Sequence, residues 1–178
     1  VTESSSTMLS ICTSVISEGG YTFTGREFCI GNTLGSPIAL PNDLSFKPII
    51  SIRLKNSRLG AIVIPTNYNV TPVQQAIYKY QIYKRAITSG GSWVSAGTTS
   101  SVEYNLSPTS ISSGEVIVSA FINSTNQSSG VPSVIELGFE HQLERNTFTS
   151  TTYEFVIAVA ASTNSTSCYG SINWKEIT

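Results

Sequence analysis

The chain has 178 residues, of which 40% are hydrophobic and only 12% are charged, and its formal net charge is −1. This length fits one all-β domain, since sandwiches and barrels can run to about 200 residues without dividing. The nearly neutral charge excludes the basic surface that phosphate-backbone binding requires, so no nucleic acid is expected as a partner. No run of about 18 apolar residues occurs, so the sequence predicts no membrane insertion.

Residues 1–7 are rich in Ser and Thr and lack the positive charge and apolar run of a signal peptide. We expect them to be a flexible lead from an upstream segment, with residues 1–178 forming a single domain. The three cysteines, Cys12, Cys29 and Cys168, are widely spaced and odd in number, which argues against a disulfide framework. They are expected to be free thiols in apolar strands, although one pair could still form a bridge.

Alternating apolar and polar residues recur along the chain and predict many short antiparallel strands. The alternation occurs at residues 50–55, 101–106, 115–122 and 133–141. Residues 155–161 (FVIAVAA) are continuously apolar, which predicts a central strand covered on both faces. Turn signals separate the runs, among them Asn56-Ser57, Ser89-Gly90-Gly91 and Ser112-Ser113-Gly114. Roughly nine or ten strands at this spacing predict an all-β fold, an antiparallel, jelly-roll-like β-sandwich in one domain.

Residues 72–87 are ambiguous between helix and strand. Pro72 could begin a helix, and Val73, Ala76, Ile77 and Tyr80 are spaced at three and four residues. The same segment is dense in β-branched and aromatic residues, which fit a pleated surface better. We therefore predict a strand from Ala76 onward. The basic residues of this segment, Lys79, Lys84 and Arg85, are interpreted as its solvated face.

Residues that could perform catalysis are few. A nucleophilic hydrolase needs a general base, and the single histidine, His141, lies at the end of a predicted strand. Two facing carboxylates of a glycosidase are conceivable among Glu115, Glu136, Glu140 and Glu154, but outward-facing strand residues explain them more simply. No nucleotide-binding, nucleophile-elbow or metal-ligand spacing occurs. The prediction is a non-enzymatic protein with no catalytic residue, no cofactor and no metal.

Aromatic side chains among Ser, Thr and Asn are the remaining candidates for a binding surface. Their rings give a large contact area at a small cost in entropy, which suits both protein interfaces and carbohydrate contacts. Most of the aromatic residues are expected to belong to the core. The predicted contact residues are Tyr68, Tyr78, Trp93 and Tyr169.

Four short segments carry a resemblance to a known group of proteins. They are residues 13–21 (TSVISEGGY) followed by Gly25-Arg26, residues 48–54 (PIISIRL), Trp93 with residues 101–104 (SVEY), and residues 171–177 (SINWKEI). Together they resemble virion structural proteins of tailed phages, especially marine ones, over nearly the full chain.

This resemblance implies a β-sandwich of a capsid decoration protein, head fibre or tail fibre, and it brings no catalytic residues. The expected partners are other virion proteins and further copies of the chain, with a trimer favoured. The expected location is the virion, after synthesis in the host cytoplasm. The alternative hypothesis is a lectin-like module that attaches to host-surface glycans through exposed Tyr and Trp residues.

Overall fold

The computed structural model describes residues 25–124, 135–136, 141–146 and 148–177, with only the backbone of residues 135–136. The predictions for residues 1–7 and 13–21 and for Cys12 and Glu140 lie outside these ranges. The described part is all-β, as predicted, and contains one short 3₁₀ turn, η1 (Asn56–Arg58). The strands are β1 (Arg26–Gly31), β2 (Ile38–Ala39), β3 (Lys47–Leu54), β4 (Ile62–Pro72), β5 (Ala76–Ser89), β6 (Val94–Ser95), β7 (Val102–Asn105), β8 (Ser110–Ser124), β9 (Ile135–Glu136), β10 (Glu154–Ala161) and β11 (Ser167–Ile177).

The strands form two antiparallel sheets that share one hydrophobic core. The five-stranded sheet has the order β1-β11-β4-β9, with β2 also paired to β11. The six-stranded sheet has the order β6-β7-β3-β10-β5-β8. Side chains of both sheets meet between them, as where the Tyr68 and Tyr80 rings form an edge-to-face contact at 5.7 Å. This arrangement is sandwich-like.

Most predicted strands are present. The runs at residues 50–55, 101–106 and 115–122 lie largely within β3, β7 and β8. The ambiguous segment forms β5 from Ala76 to Ser89, so the strand prediction is confirmed and the helical alternative is wrong. Of the run at residues 133–141, only the short strand β9 falls within the described residues as strand.

The prediction of a central, doubly covered strand is confirmed for β10. All eight of its residues are buried, and it lies between β3 and β5. Phe155, Ile157 and Val159 belong to the core between the sheets. On the opposite face Ala158 and Ala160 pair with Gln81 and Lys79 of β5, whose longer side chains can cover such small neighbours.

The turn predicted at Ser112-Ser113-Gly114 is wrong, because these residues lie inside β8. Pairing between β5 and β8 changes register here, and Gly114 has a φ of 127°. A Cβ on Gly114 would lie 2.9 Å from the Cβ of Ala86. The glycine therefore serves a β-bulge in which two backbones approach closely, and not a chain reversal.

The two described cysteines are free thiols, as predicted. Cys29 is exposed on β1, whereas Cys168 is buried in β11. Burial raises the pKa of the Cys168 thiol to about 12. Cys168 therefore packs as a small apolar residue, since the reactive thiolate is scarce at neutral pH.

A carboxylate lies on the core face of β11. Alternation along this strand puts Glu176 on the same face as Trp174, and its side chain is only 2% exposed. Its carboxylate accepts hydrogen bonds from the Ser100 hydroxyl (2.5 Å), the Ser101 backbone N–H (2.6 Å) and the Trp174 indole N–H (2.9 Å). Because Ser100 and Ser101 precede β7, Glu176 ties one sheet to the other at this end of the core.

Replacing Glu176 with Gln should lower the free energy of unfolding by about 1–3 kcal/mol, because an amide NH₂ cannot accept from donors on both sides of the group. Urea unfolding followed by tryptophan fluorescence measures the difference. Glu27→Gln is the matched control, since Glu27 lies on the adjacent strand β1 with its side chain 75% exposed. That variant should stay within about 0.5 kcal/mol of the wild type. Equal stability of all three proteins would contradict a structural role for the Glu176 carboxylate.

Candidate functional site

Two of the four predicted contact residues belong to the core. Tyr68 is 2% exposed and Tyr78 is fully buried. The Tyr78 hydroxyl donates to the Gln74 carbonyl at 3.0 Å, and burial raises the pKa of this tyrosine. The prediction of a contact surface is therefore corrected for Tyr68 and Tyr78, whose rings fill the space between the sheets.

The other two predicted contact residues are partly exposed but lie on different sheets. The Tyr169 hydroxyl, on β11, accepts a hydrogen bond from the Gly35 backbone N–H at 3.1 Å. Trp93 directly precedes β6, at the far end of the six-stranded sheet. The structure thus does not gather the four aromatic residues into one surface, and only Trp93 lies beside charged groups.

Trp93 packs against an ion pair on the outward face of the six-stranded sheet. Arg53 of β3 and Glu103 of β7 are direct cross-strand partners, and the Arg53 Nε atom donates to a Glu103 carboxylate oxygen at 2.6 Å. The Arg53 guanidinium carbon lies 3.9 Å from the centre of a Trp93 ring. A guanidinium held by a carboxylate and a ring has few orientations left, so Arg53 is fixed in place.

A buried carboxylate lies near this ion pair. Glu154, the first residue of β10, is 4% exposed and accepts hydrogen bonds from the backbone N–H (2.9 Å) and hydroxyl (2.5 Å) of Thr88. Burial raises the pKa of Glu154, and the Thr88 hydrogen bonds and the charge of Arg53 only partly oppose it. Among the groups considered for acid–base chemistry, Glu154 thus has a perturbed pKa but holds its hydrogen bonds within the fold.

An open cavity of about 410 Å³ adjoins Arg53. Arg53 is its sole charged lining residue, and the rest of the lining is hydroxyl- and amide-rich with one apolar side chain. Three short pieces of chain build it: the end of β3, the segment around η1, and the turn that leads to β10. The lining residues are Arg53, Asn56, Leu59, Thr149, Ser150, Thr151 and Thr152.

The turn that lines the cavity is held by its own hydrogen bonds. The Asn146 side-chain oxygen accepts from the backbone N–H groups of Phe148 (2.9 Å) and Thr149 (3.3 Å). The Asn146 backbone N–H donates to the Thr151 carbonyl at 2.7 Å, and the Ser150 N–H donates to the Asn146 carbonyl at 2.9 Å. The hydroxyls of this turn are therefore displayed in a fixed arrangement.

A second candidate surface lies on the outward face of β5 and β8. Cross-strand pairing puts Lys79 opposite Phe121 and Tyr83 opposite Val116, while Tyr78, Tyr80 and Ile82 face the core. Phe121 is 67% exposed, with Ile77 and Val116 about half exposed. The Lys79 ammonium lies 5.3 Å from the Phe121 ring centre. We call the set Ile77, Lys79, Val116 and Phe121 the outer patch.

The other basic residues of β5 are occupied by ion pairs. Lys84 lies 3.5 Å from a Glu115 carboxylate oxygen, and Arg85 pairs with both Glu115 and Glu144. Glu115 is thus engaged on the strand surface. The interpretation of this segment as a solvated strand face agrees with these contacts for Lys84 and Arg85, whereas Lys79 lies beside the Phe121 ring in the outer patch.

In the described ranges, no group of three His, Cys, Asp or Glu residues is placed to hold a metal ion. No helix in the described part of the chain is long and apolar enough to cross a membrane.

Comparison of the chain with protein-family models, curated proteins and solved structures finds no significant match in any of the three.

Sequence reasoning missed the residues that surround the cavity. Arg53 and Glu103 were visible only as polar positions of two alternating strands, and register, which pairs them, is not encoded in either strand alone. The Thr- and Ser-rich residues 149–152 were a possible signal, but Ser and Thr are frequent throughout the chain.

Glu154→Gln should change how stability depends on pH. Since burial raises the folded-state pKa of Glu154, its protonated form stabilises the fold at low pH, and this contribution is lost as the pH rises through the raised value. The amide does not titrate and can still accept from Thr88, so the variant should be at least as stable as the wild type at pH 7. Thermal unfolding between pH 4 and 8 tests this. Parallel melting-temperature profiles for the two proteins would contradict it.

Proposed function

We propose that this chain is a non-enzymatic structural module of a phage particle that acts by binding protein surfaces, its own copies first. The assignment to a virion rests on the resemblance of the four segments to phage virion proteins. The mode of action rests on one observation, the exposure of the outer patch on β5 and the edge strand β8. The place of action is the virion, as part of a capsid decoration protein, head fibre or tail fibre.

The outer patch has the composition of a surface that becomes buried. Phe121 is a large apolar side chain in the middle of a strand, and its flanking residues on the same face, Ser119 and Asn123, carry no charge. The Phe121 ring and the aliphatic stem of Lys79 opposite it present exposed apolar surface, which suits an interaction site. Aromatic side chains contribute strongly at the centres of interfaces.

The edge of the sheet supports the same proposal. Strand β8 has 15 residues and ends the six-stranded sheet, and no described strand pairs with its outer side. Glu115 is its one charged residue. A long and nearly uncharged edge strand offers backbone N–H and C=O groups to a strand of another chain. Another copy of this chain is the occupant we propose. A different surface of that copy pairs with β8 and covers Phe121, head to tail, so that the contact can close a ring of copies, for which a trimer is favoured.

Phe121→Ser should weaken self-association. Loss of one buried phenyl ring per copy removes about 1.5–3 kcal/mol of apolar burial, which corresponds to a tenfold or larger fall in the association constant. Light scattering on size-exclusion fractions at micromolar concentrations should give a multiple of the 19.1 kDa chain mass for the wild type, three times that mass for a trimer, and a lower mass for the variant.

Phe148→Ser is the matched control, because Phe148 is 99% exposed on the turn before β10 and lies outside the outer patch. It should leave the mass unchanged. A monomeric wild type, or equal loss of association in both variants, would reject assembly through the outer patch. Absence of the chain from density-purified virus particles that carry its gene would reject the virion assignment.

A further inference from the structure

Besides the outer patch, the six-stranded sheet carries the cavity beside Arg53. We propose that this cavity binds an uncharged, polyhydroxylated ligand, a single pyranose ring of a neutral glycan. This inference concerns a site separate from the outer patch and does not depend on self-assembly.

The size of the cavity suits a small ligand. Its volume of about 410 Å³ lies within the range of roughly 300–1,000 Å³ that small-molecule sites have in proteins. It is also open to solvent, so a terminal sugar of a longer chain could enter while the remainder stays outside.

The unpaired polar groups of the lining select the class of ligand. Arg53 uses Nε for Glu103, and its two terminal nitrogens make no hydrogen bond within the described residues. The side chains of Asn56 and Ser150 are likewise without a hydrogen-bond partner there. Guanidinium, amide and hydroxyl groups together provide both donors and acceptors. A ligand with several hydroxyls, each of which donates and accepts, matches such a set.

Charge decides between a neutral and an acidic sugar. Arg53 is the one charged residue of the lining, and the Glu103 carboxylate at 2.6 Å balances it. A carboxylate-bearing ligand would meet no net positive charge and would also approach Glu103. A neutral sugar has no such cost, because its hydroxyls need hydrogen bonds and not a counter-ion.

The polar side chains of the cavity are held in place before any ligand binds. Arg53 is fixed between Glu103 and Trp93, and the hydroxyls of Thr149 and Thr151 lie 2.9 Å apart within a turn held by Asn146. Groups that are ordered before binding lose little entropy when the ligand arrives. Leu59 supplies an apolar surface for the C–H groups of a pyranose ring.

Saturation-transfer NMR and calorimetry with the methyl glycosides of glucose, galactose, mannose and N-acetylglucosamine test the proposal, with N-acetylneuraminic acid as the acidic probe. At least one neutral glycoside should bind saturably with a dissociation constant on the order of 1 mM. The acidic sugar should bind more weakly than that glycoside. Absence of saturable binding by every neutral probe, or preference for the acid, would overturn the inference.

Two conservative variants locate the site. Arg53→Lys keeps the charge beside Glu103 but loses the planar fork of donors, and Thr151→Val keeps the shape but loses a hydroxyl. Each should weaken binding of that glycoside by about fivefold or more, the usual effect of a lost hydrogen bond.

Matched controls are Arg26→Lys and Thr33→Val, exposed residues on and after β1 that do not line the cavity. Neither should change the affinity, and neither should Phe121→Ser, whose effect falls on self-association alone. Equal weakening by control and cavity variants would place the ligand elsewhere and overturn the assignment.

Discussion

The buried carboxylate of Glu176 is the constraint on which the arrangement of the two sheets depends. A buried carboxyl group on the core face of β11 is tolerated only where donors surround it, and two of its three donors belong to Ser100 and Ser101, which lead into the opposite sheet. The segment that leads into β7 must therefore lie over the end of β11. The same β6–β7 region carries Trp93 and Glu103, which hold Arg53. The polar contacts of Glu176 in the core therefore fix the region whose outward face holds Arg53 of the cavity.

How much of the fold could be predicted depends on whether each sequence pattern reports local or long-range structure. Alternation and apolar runs are local, so β3, β5, β7, β8 and the buried strand β10 were predictable from their own residues. Sheet order and register are not local, because they depend on which apolar faces meet in three dimensions. The Ser112-Ser113-Gly114 segment illustrates the limit. Its residues are typical of a turn, but only the proximity of Ala86 across the sheet shows that Gly114 serves a bulge.

The candidate sites were less predictable for a related reason. An alternation with a period of two residues shows that every second residue lies on the same face of a strand. It does not show which of the two faces meets the other sheet. Tyr78 and Lys79 are neighbours in sequence, yet Tyr78 is in the core and Lys79 lies over Phe121. Aromatic character alone therefore selected core residues such as Tyr68 together with Trp93. The cavity combines the neighbouring β3 and η1 with the turn before β10, which lies almost a hundred residues later in sequence, so no local motif indicates it.

The two proposed surfaces occupy one sheet without competing. In the order β3-β10-β5-β8, Arg53 of the cavity lies on β3 and the outer patch lies on β5 and β8, so two to three strand spacings of about 4.8 Å separate Arg53 from the patch. Pairing of copies at β8 would leave each Arg53 cavity accessible. A sugar site of millimolar affinity is weak by itself, but a homo-oligomer holds several such sites at fixed distances, and simultaneous engagement can strengthen attachment by about 10²-fold or more. Assembly would then be what makes a weak glycan site effective, and the structural and adhesive hypotheses become two parts of one mechanism.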